Sequence, residues 1–247
     1  MTRSAFDPLV DAYDAGRPVY PEQLSDDLER LARPLRGADV VEVGAGTGIA
    51  TRALEGRGAR VVALDLGAAM LARLRQRSPR TPVAVADAHA LPVRDAGADL
   101  VCYAQAWHWV RVPEAVAEVR RVLRPGGALA TWWNDVNADD QPWWQAQQER
   151  LEALSPGYSR GYRRRDWSAE LAGVPGLGRA AVAASDWVRQ LSLEDYETWL
   201  RSKSYVAALG DRLEDFLAAE RSSLATAFPD GVVREPFRTV LVVARAA

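Results

Sequence analysis

Glu42, Gly44, Gly46 and Gly48 fall at alternate positions where an apolar run, Val40 to Val43, passes straight into a glycine-rich turn and then a helical pattern. Such a stretch reads as a buried strand, a tight turn and a helix start. Glycine has no Cβ, so the main chain can take left-handed dihedrals and a ligand can approach it closely. The first N–H groups of the following helix then face that ligand. A nucleoside fits this cradle. A dinucleotide turn needs glycine at its first, third and sixth positions, and the sixth position from Gly44 is Ile49. Glu42, two residues before the turn, can accept hydrogen bonds from turn amides or, through water, from a ligand amine, which favours a ligand with a positive end.

Two more carboxylates close the next predicted strands. Asp65 lies 19 residues after Gly46, where it can meet ribose hydroxyls; capping the next helix is its alternative role. Asp87 can accept from the exocyclic amine of a purine, with the Ala88 N–H alongside; a turn or N-cap role is equally open to it. Beyond a fourth strand stands His108, whose imidazole type titrates near neutral pH and suits a general base. Its alternative is a ring that packs between Trp107 and Trp109 and shapes the pocket. His89 reads as structural.

The elements that must position these groups alternate in type. Residues 4 to 20 read as an irregular arm carrying Tyr13, Arg17 and Tyr20, followed by a helix from Pro21 to Leu31. Strands are expected at Asp39–Val43, Arg60–Asp65, Pro82–Ala86, Ala98–Tyr103 and Ala128–Trp133. Helices are expected at Thr47–Glu55, Ala68–Arg77 and Pro113–Leu123, the last ended by Arg124-Pro125-Gly126-Gly127. Near-continuous apolar strands between amphipathic helices imply an α/β fold with a doubly wound parallel sheet covered on both faces. In such a fold the ligand lies beyond the carboxyl ends of the strands, where strand order reverses, here between the first and fourth. That rule selects the glycine turn and the segment Ala104–Trp109.

Composition narrows the partners. Hydrophobic residues at 48% and charged residues at 26% are ordinary globular values, and a net charge of −2 supplies no field to attract nucleic acid or anionic lipid. Cys102 is the only cysteine and no apolar run approaches the roughly 20 residues that span a bilayer, so a cytoplasmic, disulfide-free protein without a membrane partner or a metal is expected. Lys203 is the only lysine; with the abundant alanine, this points to a GC-rich bacterial source. All nine tryptophans stand at Trp107 or later. Neighbours such as Trp132 and Trp133 point to opposite faces of a strand and cannot enter the same core, so some of these rings are expected to line a cavity.

The ordered series Glu42-x-Gly44-x-Gly46-x-Gly48, Asp65, Asp87-Ala88 and Leu123-Arg124-Pro125-Gly126-Gly127 resembles the motifs of class I S-adenosylmethionine-dependent methyltransferases. It is most similar to the bacterial small-molecule group that includes quinone-biosynthesis and trans-aconitate methyltransferases. The likeness covers the first 133 residues closely and the remainder loosely. It implies S-adenosyl-L-methionine as cofactor, its methionine part backed by Gly44, Ala45, Gly46 and Gly48, with Glu42 supporting the turn and the amino group. It further implies Asp65 on the ribose with Leu66 beside it, Asp87 and Ala88 on the adenine with Met70 flanking, and the Gln105 carbonyl beside the sulfonium. Tyr13, Arg17 and Tyr20 are similar to that group's closing arm, in which Arg17 suits the methionine carboxylate.

The same resemblance implies one domain over residues 1–247 and a seven-stranded, mostly parallel sheet whose last strand is antiparallel. Residues 1–20 are then the arm, 21–133 the cofactor core, and 134–180 and 191–235 a substrate cap. Ala180–Gln190 and Pro236–Ala244 are the candidate last strands, with helices at Leu193–Arg201 and Arg212–Ala225 between them. Methyl transfer is an in-line displacement, so the chain chiefly needs to position an acceptor and exclude water.

Trp107, His108, Trp109, Trp132, Trp133, Asn134, Trp143 and Tyr205 are the candidate substrate contacts, joined by Trp144, Tyr158, Tyr162 and Asp135. They suggest a small apolar or aromatic metabolite. Arg163-Arg164-Arg165 reads as a solvated basic loop. A monomer or homodimer is expected. Two other functions stay open. A tRNA or rRNA methyltransferase of the amino-methylating type carries an Asn/Asp-Pro-Pro-aromatic run after the fourth strand, which Ala104-Gln105-Ala106-Trp107 lacks. A non-methylating cofactor-binding protein has the same fold, because fold does not fix function.

Overall fold

The computed structural model describes residues 16–155, 158–159, 171 and 177–246. Its strands are β1 (Asp39–Val43), β2 (Arg60–Asp65), β3 (Val83–Val85), β4 (Ala98–Ala104), β5 (Leu123–Val136), β6 (Ala181–Ser192) and β7 (Val232–Arg245). Its helices are α1 (Glu22–Leu31), α2 (Ile49–Gly56), α3 (Ala68–Arg77), α4 (Val112–Val122), α5 (Pro142–Leu154), α6 (Leu193–Arg201), α7 (Ser204–Ala207) and α8 (Leu213–Ala227), with a 3-10 turn at Trp107–Trp109. The sheet runs β3-β2-β1-β4-β5-β7-β6; pairings from β3 to β5 are parallel, and β7 is antiparallel to both neighbours. The expected seven-stranded, mostly parallel architecture is therefore present. Strand order reverses between β1 and β4, which pair from Val40↔Leu100 to Glu42↔Cys102.

Period-two alternation sorts the strands' side chains into two cores. Val41, Val43, Val101, Tyr103, Leu129 and Trp133 pack against Ala115, Val116, Val119 and Val122 of α4. Val40, Leu100, Cys102, Ala130 and Trp132 face the other way, onto α1 and α2 through Leu24, Leu28, Ala50 and Leu54. Every residue of β4 is buried, as a central strand covered on both faces must be. A third core lies where α5, α6 and α8 meet the start of β7, built from Trp143, Trp144, Tyr196, Trp199, Phe216 and Phe237.

These three cores correct the aromatic reading. Trp132 and Trp133 do point to opposite faces, yet both faces are cores, so both rings are buried in packing. Trp107 is fully buried, edge-on to Tyr103 with ring centroids 4.8 Å apart. Trp143 and Trp144 belong to α5, a helix the strand-and-helix reading did not assign, and fill the third core. Near the fourth strand, the exposed tryptophan is Trp109, at 54%. Strand ends shifted as well: β5 extends from the expected Ala128–Trp133 to Leu123–Val136, because β7 pairs with it as far as Val136 and Ala98 of β4 pairs with Leu123.

Candidate functional site

The turn after β1 is built by backbone. The Gly44 and Ala45 N–H groups both donate to Leu64 O, at 2.8 and 3.0 Å, and tie the turn to the end of β2. Gly44, Gly46 and Gly48 have φ of 74°, 54° and 84°, a region that costs an ordinary residue roughly 1 kcal/mol. A Cβ on Gly44 would stand 2.5 Å from Ala106 Cβ, so the turn presses on the loop leaving β4; one on Gly46 would meet nothing within 4 Å. The turn is closed on the protein side and open at Gly46.

Asp65 braces this opening. Its Oδ2 accepts from the Gly46 N–H at 2.8 Å and its Oδ1 from the N–H of Gly67, the N-cap of α3, at 2.7 Å. Asp65 thus ties the glycine turn to the start of α3. Leu66 beside it is 46% exposed, and Met70 is buried one turn into α3.

Glu42 behaves differently from the sequence expectation that it meets turn amides, because those amides are already taken by Leu64 O and Asp65. It is fully buried; Oε2 accepts from Thr51 Oγ1 of α2 at 2.5 Å, and Oε1 has no partner among the described residues. Burial pushes its carboxyl up from the ordinary 4.5 to about 8, against the Thr51 hydrogen bond that lowers it. An unsatisfied buried oxygen beside an open glycine turn is a receptor for a donor, best a cationic one.

Asp87 is exposed on the loop leaving β3, in a four-residue turn closed by the Ala90 N–H onto Asp87 O at 3.0 Å; Ala88 is half-buried at its tip. Gln105, just past β4, has φ of 57°, a left-handed backbone for a non-glycine residue. Its N–H donates to Trp132 O at 2.9 Å and its Nε2 to Asn134 O at 3.1 Å, so β5 holds it in that conformation. All these groups lie at the carboxyl ends of β1 to β4, on one edge of the sheet.

Toward β5 the candidate contacts divide. His108 is half-buried on the 3-10 turn, with its ring 4.5 Å from that of Trp109. Asn134 is buried and mainly structural: Oδ1 accepts from Thr239 Oγ1 at 2.6 Å and Nδ2 donates to Val19 O at 3.4 Å, which anchors the arm. Tyr20 of the arm meets Trp132 edge-on. Arg17 stacks on Trp199 of α6 at 5.3 Å, and half-buried Tyr205 packs against Tyr158. Tyr13, Tyr162, Arg163, Arg164 and Arg165 lie outside the described residues.

Sequence reasoning missed several partners. Thr51, nine residues after Glu42 on the adjoining helix, had the signal of a hydroxyl in a first helical turn. Buried Lys203, 3.8 Å above the Trp199 ring, was visible only as the sole lysine. Glu235, fully buried between Arg189 Nη2 at 2.6 Å and Trp199 Nε1 at 3.0 Å, had none. A cleft of about 370 Å³ lined by Arg60, Arg80 and Pro82 opens at the opposite edge of the sheet, away from the glycine turn and the strand-end carboxylates. Among the described residues no three His, Cys, Asp or Glu side chains cluster as metal ligands, and no helix is long and apolar enough to cross a membrane.

Comparison with known proteins identifies the arrangement. A family model described as a methyltransferase domain matches residues 41–131. An uncharacterized methyltransferase-like protein of Schizosaccharomyces pombe is 31% identical over 224 residues, covering 88% of this chain and 84% of that protein. The chain belongs to the methyltransferase family. An uncharacterized methyltransferase of Mycobacterium tuberculosis is 44% identical over 130 residues, 53% of this chain and 52% of its own length, so the match to such curated relatives spans about half of them. The solved structure of a type II methyltransferase candidate from Anaeromyxobacter dehalogenans is 28% identical, with a TM-score of 0.67 over 94% of this methyltransferase and 97% of that chain.

The family's cofactor, S-adenosyl-L-methionine, can be tested against the residues present. It needs an acceptor for an ammonium, a close backbone approach and polar groups for ribose and purine. The orphaned Glu42 Oε1, the open Gly46, the braced Asp65 and the exposed Asp87 fit those needs.

Proposed function

We propose that this methyltransferase uses S-adenosyl-L-methionine to methylate a small-molecule acceptor. The observation that carries the reading is the alignment, on one sheet edge, of an open Gly46 with the strand-end carboxylates of Glu42, Asp65 and Asp87. When bound, the cofactor supplies an electrophilic methyl group on a sulfonium. The chain's own part is to hold the amino group at Glu42, the ribose at Asp65 and the purine at Asp87 and Ala88, and to keep the acceptor beside Gln105. Positioning of this kind accounts for much of such a rate.

The acceptor side is supported by exposed Trp109 with half-buried His108 against it, a modest aromatic surface just past β4 suited to a small metabolite. The tryptophans at 107, 132, 133, 143 and 144 are committed to packing and lend it no support. Where the acceptor carries a proton, His108 is the base that takes it.

Calorimetry with S-adenosylhomocysteine and with NAD tests the cofactor. Binding of the first and not the second is expected, and NAD binding alone refutes the reading. Incubation with candidate metabolites, followed by mass spectrometry for a gain of one CH2, tests transfer. His108→Ala is expected to lower turnover by about 10²-fold or more while cofactor affinity holds; full turnover leaves positioning as the whole of catalysis.

A further inference from the structure

Asp87 and His89 stand two residues apart on the loop leaving β3, and the structure couples them closely. The His89 N–H donates to Asp87 Oδ1 at 2.9 Å, and His89 Nδ1 contacts the same oxygen. The other ring nitrogen is also engaged: the N–H of Arg111, the N-cap residue of α4, donates to His89 Nε2 at 2.9 Å. A nitrogen that accepts a hydrogen bond carries no proton, so the ring is the Nδ1–H tautomer and donates to Asp87. A backbone amide 22 residues away thus selects the tautomer that clamps the carboxylate.

The clamp is lopsided. Oδ1 receives both bonds from His89, and Oδ2 has no partner among the described residues on a side chain 54% exposed, whereas the His89 side chain is only 14% exposed. The charged groups around the ring are Asp87 itself and, from α4, Arg111 and Glu114, which pair with each other at 2.8 Å. The backbone and ring bonds from His89 hold the Asp87 carboxyl below the usual carboxylate range, so it stands as an anion. An unclamped aspartate could turn into solvent and tolerate any group opposite it; one held by its other oxygen cannot.

We propose that His89 is a positioning residue that fixes Asp87 with Oδ2 presented to the exocyclic amine of bound adenine, and so selects an adenosyl over an inosyl cofactor. The proposal rests on the cofactor reading above. An inosyl ligand has a carbonyl oxygen in place of the amine, and a fixed carboxylate oxygen faces it acceptor to acceptor, which a site built to hydrogen-bond rejects.

Titration calorimetry with S-adenosylhomocysteine and S-inosylhomocysteine, on the wild-type chain and on Asp87→Ala, His89→Ala and His89→Asn, tests this. The wild type is expected to favour the adenosyl ligand by about tenfold or more, the worth of one charge-assisted hydrogen bond. His89→Ala removes the ring bond but keeps the main-chain N–H on Oδ1, so it is expected to lose part of that preference, and Asp87→Ala all of it. His89→Asn, whose amide nitrogen occupies the place of Nδ1, is expected to keep it. If His89→Ala retains the wild-type preference, even with weaker overall binding, the ring is only a structural prop and the proposal falls. A wild type that binds both ligands equally removes the Asp87 contact while leaving the cofactor reading intact; one that binds neither removes both.

Discussion

The half of the chain up to Ala104 and the half beyond it build their polar contacts in different ways. In the first, around the glycine turn and the strand ends, backbone amides make the contacts: Gly46 and Gly67 donate to Asp65, the Gly44 and Ala45 amides to Leu64, and His89 to Asp87. In the second, buried side chains join residues far apart in sequence. Thr239 bonds to Asn134 across 105 positions, Gln147 to Glu220 across 73, Arg189 to Glu235 across 46 and Trp199 to Glu235 across 36. A cradle made of backbone must recruit glycine at positive φ and acids at strand ends, so its residue types advertise its purpose. A region of strands and helices held by buried side-chain pairs announces how it is held and little about what it covers.

This contrast can be broken experimentally. The largest effect is expected from Glu235→Ala, which strips the buried Arg189 of its carboxylate, leaving it the Gly16 carbonyl and the Trp199 ring, and should cost about 3–5 kcal/mol of unfolding free energy in urea titration. Cofactor affinity of the folded protein should change far less; if it collapses too, the two halves are one energetic unit. Asp65→Ala is the mirror experiment. It should weaken S-adenosylhomocysteine binding by roughly 1–3 kcal/mol by calorimetry, with a smaller loss of stability than in Glu235→Ala, and unchanged affinity would remove Asp65 from the site.

Glu42 sharpens the comparison because its effect depends on pH. With a folded-state pKa raised from 4.5 to about 8, its stabilising share is fully present below 4.5 and is lost as pH rises toward 8, at up to ~1.4 kcal/mol per pH unit. Melting temperatures of the cofactor-free chain should fall over that window, and Glu42→Gln should flatten the fall. An identical slope in the variant would place its origin elsewhere. The smallest effect is expected from Thr51→Val, which removes the hydroxyl donor to Glu42 Oε2. A loss of ~1 kcal/mol in stability and a further upward displacement of the same pH limb should follow.

Much of the first half was legible. The strands at Asp39–Val43 and Arg60–Asp65 and the helix at Ala68–Arg77 fall where the pattern placed them, since an apolar run ended by glycine or aspartate leaves few other foldings. The carboxylates at 42, 65 and 87 could be placed at strand ends for the same reason. The choice left open for Glu42 between turn amides and a ligand amine could not be made locally, because nothing revealed that Leu64 O would claim the turn amides or that Thr51 would reach the carboxylate. The tryptophans were misjudged because alternation tells which face a ring takes and not whether that face is covered.

The sequence alone determined the α/β alternation, the glycine turn with its missing sixth-position glycine, and the family to which they belong. These are local patterns, set by steric freedom at glycine and by the two periodicities of strand and helix. Only the tertiary structure decided that Trp132 and Trp133 are both interior, that Asn134 is a strut to Thr239, and that the Arg111 amide sets the proton on His89. Each of those outcomes depends on which surfaces come to cover one another, and such contacts between distant segments leave no mark on the spacing of residues along the chain.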